Sequence, residues 1–225
     1  MVYNSLTEAP HTFREGIDWL IALKGNDAEK NLAAMGAALH KFLADKPVGK
    51  MELPALEEVK RISKQFVAQP ELKYMWPADD VLRRFNERII KSHRQLRKIV
   101  CTIYDSDYLN VIKSKRLTAQ KITEQLSKAV DGCEKFLDKI KIPDEYKSAY
   151  SSEATWETSC SENPEACAVV LVGIAPMLYT GLRFLQCGPE FRTKMTTSEV
   201  IKASKSISYQ MLVTLYDLAG FWAFY

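Results

Sequence analysis

The sequence has little of what catalytic and metal-binding chains carry. Its 225 residues include three histidines, five cysteines and nine glycines. No two cysteines stand at the C-x₂₋₄-C spacing of a zinc site. Neither HExxH nor a glycine-rich phosphate loop occurs. There is no low-complexity tract and no internal repeat. No stretch alternates apolar and polar residues between hairpin turns, which argues against an antiparallel sheet. The opening MVYNSLTEAPHTFREG lacks the apolar core of a secretory signal. Charge of one sign is also missing: 31 Lys and Arg against 28 Asp and Glu leave a net +3, which says little about partners. What is present is a globular balance, 47% apolar and 26% charged, which excludes wholesale disorder.

Helical signals fill the chain. Thr12 and Glu15 form a capping box; Phe13, Ile17, Leu20 and Ile21 then recur at helical spacing up to Gly25. Asn26 or Asp27 opens a second helix striped by Leu32, Met35, Leu39 and Phe42, with Ala33, Gly36 and Ala37 permitting close approach. Pro54 suits the first turn of a third, with Leu56, Val59, Ile62 and Phe66 inward. Short connections predict that these three pack as an antiparallel bundle. A further helix is expected from near Pro77 through Leu82, Phe85, Ile89, Leu96, Val100 and Ile103, broken by DSDYLN at 105–110. Thr118 caps the next, carrying Ile122, Leu126, Val130, Cys133, Leu137 and Ile140. Asn163-Pro164-Glu165 is a strong helix start, and a last helix is expected from Thr196. The chain reads as all-α: one domain over 1–225, a bundle of about seven helices with a central apolar helix near 164–186. Possible sub-units are 1–70 and 77–225.

ACAVVLVGIAPMLY, residues 166–179, is fourteen residues without a charge or an amide side chain. As a helix it is about 21 Å long, short of the roughly 30 Å hydrocarbon core of a membrane. An all-round apolar helix is expected at the centre of a bundle, so core is preferred to span. Four of the last five residues are aromatic: Phe221, Trp222, Phe224 and Tyr225. They are expected either to pack on the apolar helix or to dock a further part of the protein. A glycosylphosphatidylinositol signal is the alternative for this tail; Asp217 inside it argues against that.

Candidate chemistry is sparse. His93 and Cys101, on one helix, would be about 12 Å apart, too far for a nucleophile and its base. His40 reads as a boundary residue, and His11 has no evident partner. Asp144, Glu145, Glu153 and Glu157 read as surface charge. No enzyme, cofactor or metal is expected. Cys160 and Cys167 flank the Asn163 cap, and a chain folding back there would bring them within bridging range. Residues 83–121 hold eleven Lys or Arg against three acids, with Arg84, Arg88, Lys91, Arg94 and Lys98 as a possible basic interaction face. A solvated helix face is preferred, because the aromatic interleaving of a single-strand platform and any groove-reading motif are missing.

Several stretches together carry a resemblance: NSLTEAP with EGIDWLIALKG at 4–25, FLADKPVG at 42–49, DGCEKFL at 131–137, and the closing LYDLAGFWAFY. The longest is YKSAYSSEATWETSCSENPEACAVVLVGIAPMLYTGLRFLQ at 146–186. They resemble the variant erythrocyte surface antigen families of Babesia, over nearly the whole chain. The resemblance implies a non-enzymatic protein of an intraerythrocytic parasite, displayed on the infected red cell, varying antigenically and adhering to endothelium. Implied partners are a host endothelial receptor or another family subunit; the basic face leaves a weaker alternative, a binder of nucleic acid or anionic lipid, with nucleic acid not expected. Longer relatives carry a membrane anchor near the C-terminus; none follows Tyr225, and the stretch between Cys187 and Thr197 is shorter than in the family. The chain is thus expected to be an N-terminal helical region or a truncated relative. The alternative is a soluble helical scaffold in parasite or erythrocyte cytoplasm, an assembly partner of the same family.

Overall fold

The computed structural model describes residues 2–46, 52–86, 110–187 and 208–218. Within them the protein is all-α. Nine helical segments occur among the described residues: α1 (Phe13–Lys24), α2 (Ala28–Ala44), α3 (Pro54–Val67), α4 (Ala78–Asn86), α5 (Val111–Lys115), α6 (Ala119–Ile140), α7 (Trp156–Ser159), α8 (Pro164–Cys187) and α9 (Tyr209–Leu218). Their ends follow from local chemistry. Thr12 and Glu15 make the full capping box of α1. Gly25 stops that helix at φ 53°, a backbone geometry that favours glycine. Thr118 caps α6 through Lys121 N, and Asn163 accepts from Ala166 N at the start of α8. The expected helix beyond Pro77 is seen as α4; Ile89, Leu96, Val100 and Ile103 lie outside the described residues, as does the expected start at Thr196.

α8 is the axis of the fold. Every residue from Cys167 to Leu178 is buried, so for more than three turns the helix has no wet face. The 23 residues Pro164–Gln186 are apolar and long enough to cross a membrane, yet 83% of their most apolar window is covered by protein. The cover is supplied by α1, α2, α3, α4 and α9. This is a core helix, and its apolar perimeter is the expected consequence of having neighbours all round. Part of the C-terminal region supplies that cover: Leu212 and Leu215 are buried, and the Tyr216 ring lies 5.0 Å from that of Tyr179 on α8.

The first three helices do not form a bundle of their own as their short connections suggest: α1 and α2 touch, but each of the three packs more heavily on later helices. α3 lies along α8, α2 along α6 and α8, and α1 against both α6 and α8. α3 meets α1 through the stacked rings of Phe66 and Phe13, centroids 6.2 Å apart. The reason is apolar demand. α8 has more surface to cover than any N-terminal helix can offer, so the amphipathic helices turn their stripes to it. Side chains from residues 1–70 and from 77–225 therefore share one core.

Close helix approach depends on glycine where α2 crosses α6 and where α3 crosses α8. A Cβ at Gly36 would sit 2.1 Å from Thr123 Oγ1 and 3.1 Å from the Ala119 carbonyl on α6. Ala33 and Ala37, read as part of the same small-residue face, are exposed instead. At the second crossing, a Cβ at Gly173 would meet Val59 Cγ1 on α3 at 2.4 Å. Gly36→Ala is expected to destabilise by about 1–3 kcal/mol through overpacking. Thr123→Ala in the same chain should recover part of that loss in a urea-denaturation cycle; additive effects would show that the crossing is not tight.

α5 was not foreseen. Asn110, in the stretch read as a break, accepts from Ile112 N (2.9 Å) and Lys113 N (3.3 Å). Its amide donates to Leu43 O (2.7 Å) and Lys46 O (2.6 Å). One side chain thus caps α5 and caps the end of α2. Asp217 on α9 lies 3.6 Å from Lys115, which follows from the same placement. Burial pushes the Asp217 carboxyl up, and Lys115 opposes this only in part. Because its folded value is raised, the ionised form disfavours folding at neutral pH. Asp217→Asn should therefore raise Tm near pH 7, with the gain vanishing once pH falls below the carboxylate range and both side chains are neutral. A lower Tm at neutral pH would show that the Lys115 pair dominates.

Candidate functional site

The N-terminal segment is locked onto the α6–α8 connection by an interlock of polar and aromatic groups. Tyr3 N donates to Ala149 O (2.8 Å) and Ser151 N to Tyr3 O (2.9 Å), a lone parallel bridge. The Tyr3 and Tyr150 rings stack with centroids 4.8 Å apart. Leu6 N donates to Ser159 Oγ (3.0 Å), and the Trp19 indole donates to Leu6 O (2.8 Å). Asp18, 2% exposed, accepts from Ala149 N (2.9 Å) and from the Tyr146 hydroxyl. Sequence reading missed Asp18. The signal was there: an acid between Ile17 and Trp19 on the apolar face of a helix.

Burial is the main cause pushing the phenols of Tyr3 and Tyr146 up to about 12, and it drives Tyr150 higher still. Raised phenol values mean that the neutral forms are favoured by folding. Their contribution is complete below the ordinary value near about 10 and is lost as pH climbs through the folded values. A cooperative loss of near-ultraviolet signal above about pH 10 is expected; phenols titrating freely near 10 would contradict the interlock.

Cys160 and Cys167 are joined in a disulfide, α-carbons 5.9 Å apart, across the cap of α8. Cys133 is a free buried thiol, pushed up to about 12 by burial; it is a packing group rather than a nucleophile. Among the described residues no group of three or more His, Cys, Asp or Glu is arranged to hold a metal ion. Arg84 stands in the last turn of α4. Arg88, Lys91, Arg94 and Lys98 lie outside the described residues, as do Phe221, Trp222, Phe224 and Tyr225.

Two surface features stand at opposite ends of the α3/α8 pair. The first is a groove of about 660 Å³ lined by residues 7–9 and 11, α3 from Ala55 to Ile62 and the start of α8. Its floor is Val59, Ile62, Val169 and Val170, all nearly buried. Glu8, Glu58 and Glu165 stand around it with Arg61 and His11. The second is the loop between α3 and α4. Turns closed by Leu72 N to Gln69 O (2.9 Å) and Met75 N to Leu72 O (2.8 Å) fix its shape, and buried Leu72 pins it to the core. From this frame Tyr74 projects 81% exposed and Trp76 52% exposed. Lys73 Nζ lies 4.7 Å from the centre of the Tyr74 ring, and the Arg183 guanidinium 4.7 Å from that of Trp76. The sequence stripe predicted a helix start near Pro77 and gave no hint that the preceding rings stand in solvent.

A rigid loop offering tyrosine, tryptophan and cations has the composition of a contact hot spot. Comparison with protein-family models, with curated proteins and with solved structures finds no match to this chain.

Proposed function

We propose that this chain is a non-enzymatic helical module of a variant surface antigen, displayed on red cells infected by an intraerythrocytic parasite and acting through protein contact. One observation carries the reading. Two of the stretches that resemble that family, 4–25 and 146–186, are the ones whose side chains lock into one another. Leu6, Asp18, Trp19, Tyr150, Trp156, Cys160 and Cys167 all fall within them and all are buried or half-buried. They join the N-terminal segment, α1, α7 and α8 into a scaffold whose exposed faces are free to change. The disulfide supports passage through an oxidising compartment, as display requires.

Antibody labelling of intact infected cells, with a surface-protease control, tests display. Signal on intact cells that the protease removes is the expected result; signal only after permeabilisation rules display out.

A further inference from the structure

We propose that the groove between the N-terminal segment, α3 and α8 docks a basic segment of a partner protein, one that sets arginine or lysine beside aliphatic side chains. The inference rests on the reading of this chain as a contact protein and names the chemistry of what it contacts. The groove's base is apolar: Val59, Ile62, Val169 and Val170 are each 3–9% exposed. Ala9, Ala55 and Ala166 stand beside them, half-buried or exposed. So little bare surface cannot hold a partner by apolar contact alone. The rim must select it.

Each of the three walls brings one carboxylate to that rim: Glu8, Glu58 and Glu165. Glu8 Oε1 accepts from Asn4 N (3.0 Å) and Ser5 N (3.1 Å). Among the described residues nothing bonds the exposed carboxylates of Glu58 and Glu165. The helix dipole accounts for Glu165, in the first turn of α8, but not for Glu58, which lies beyond the first turn of α3. Three acids against Arg61 leave the lining at −2 with His11 neutral. The charges next along the chain do not reverse this. Glu57 pairs with Lys60 (2.7 Å), Arg14 and Glu15 cancel, and Glu52 and Glu162 outnumber Lys64. A rim of that sign repels polyanions, which disfavours nucleic acid and anionic lipid as occupants. An arginine or lysine answers both features, its aliphatic stem on the valines and its head among the carboxylates. A volume of about 660 Å³ is within the range of sites that enclose drug-sized groups, enough for such a side chain and an aliphatic neighbour.

Isothermal titration of the intact chain with the peptide GRLRLRG tests this. In low salt the wild type should bind with a Kd below about 100 µM, and more weakly as salt rises. Glu58→Gln/Glu165→Gln should weaken binding at least about fivefold. Glu145→Gln/Glu153→Gln removes the same charge away from the groove and should leave binding within about twofold of wild type. All four carboxylates are exposed, so circular dichroism should be unchanged in both variants. The peptide GRGRGRG, which lacks the aliphatic side chains, should bind at least about threefold more weakly than GRLRLRG. A wild type that does not bind GRLRLRG at about 1 mM overturns the proposal. Equal losses in the two variants, or equal binding of the two peptides, overturn it by reducing the site to general surface charge. Spermine that displaces GRLRLRG at equal concentration assigns the groove to a free polyamine and overturns it too. Binding is read on the purified chain, so a failure of surface labelling leaves this inference standing, and a failure to bind leaves display standing.

Discussion

Asp18→Ala is expected to lower the unfolding free energy by about 2–5 kcal/mol, because it takes one shared acceptor away from two donors at about 1–3 kcal/mol each. The carboxylate is 2% exposed and is reached by two donors far off in sequence, Ala149 N and the Tyr146 hydroxyl. Alanine leaves both donors buried or half-buried without an acceptor. The loss also spreads, because Ala149 O holds Tyr3 N, and Tyr3 stacks on Tyr150. Asp18→Asn should fall between wild type and alanine, since one oxygen remains but the amide meets a donor where the second oxygen stood. Urea titration followed at the buried Trp19 would measure both. A loss below about 1 kcal/mol for alanine would mean that the interlock is decoration on a core that does not need it.

Removing the disulfide comes next in size. The Cys160–Cys167 bridge closes a loop with a sequence separation of 7. Chain-entropy reasoning assigns such a small loop about 2–3 kcal/mol. The double substitution to alanine should lower Tm by about 5–10 °C for a chain of this size. Dithiothreitol acting on the wild type should reproduce most of that shift and leave the double variant unaffected. Thiol titration in denaturant without reductant should find no more than three of the five cysteines reactive, since two are bonded. Five reactive thiols would remove the bridge from the account. Its placement gives the loss a direction. The bridge holds α7 against the start of α8, and α7 supplies the Ser159 oxygen that receives Leu6 N, so the N-terminal segment should loosen first.

Local chemistry made the helices legible and long-range chemistry stayed hidden. Thr12, Thr118, Asn163 and Pro164 mark helix starts because a cap acts within one turn of itself. The stripe Leu32, Met35, Leu39 and Phe42 tells which face of α2 is buried, and all four are buried. What a stripe cannot tell is its partner. Periodicity is a property of one helix, whereas α3 packing on α8 rather than α2 depends on how much apolar surface α8 brings. Asn110 shows the same limit. Its local role as a cap follows from its residue type, but its bonds to Leu43 O and Lys46 O span 67 and 64 residues. Of the candidate surfaces, the cysteine pair was readable from spacing about a cap. The exposed rings of Tyr74 and Trp76 were not, because a local pattern does not say which turn residues the core leaves uncovered.

The central claim is that α8 is the interior helix of a water-soluble bundle. Native-state amide hydrogen exchange of the purified chain in detergent-free buffer addresses it most directly. The account predicts that amides of residues 167–182 exchange slowest in the molecule, opening only with global unfolding. Fast exchange across that stretch, or a chain that holds its helical circular dichroism only in detergent, would contradict it.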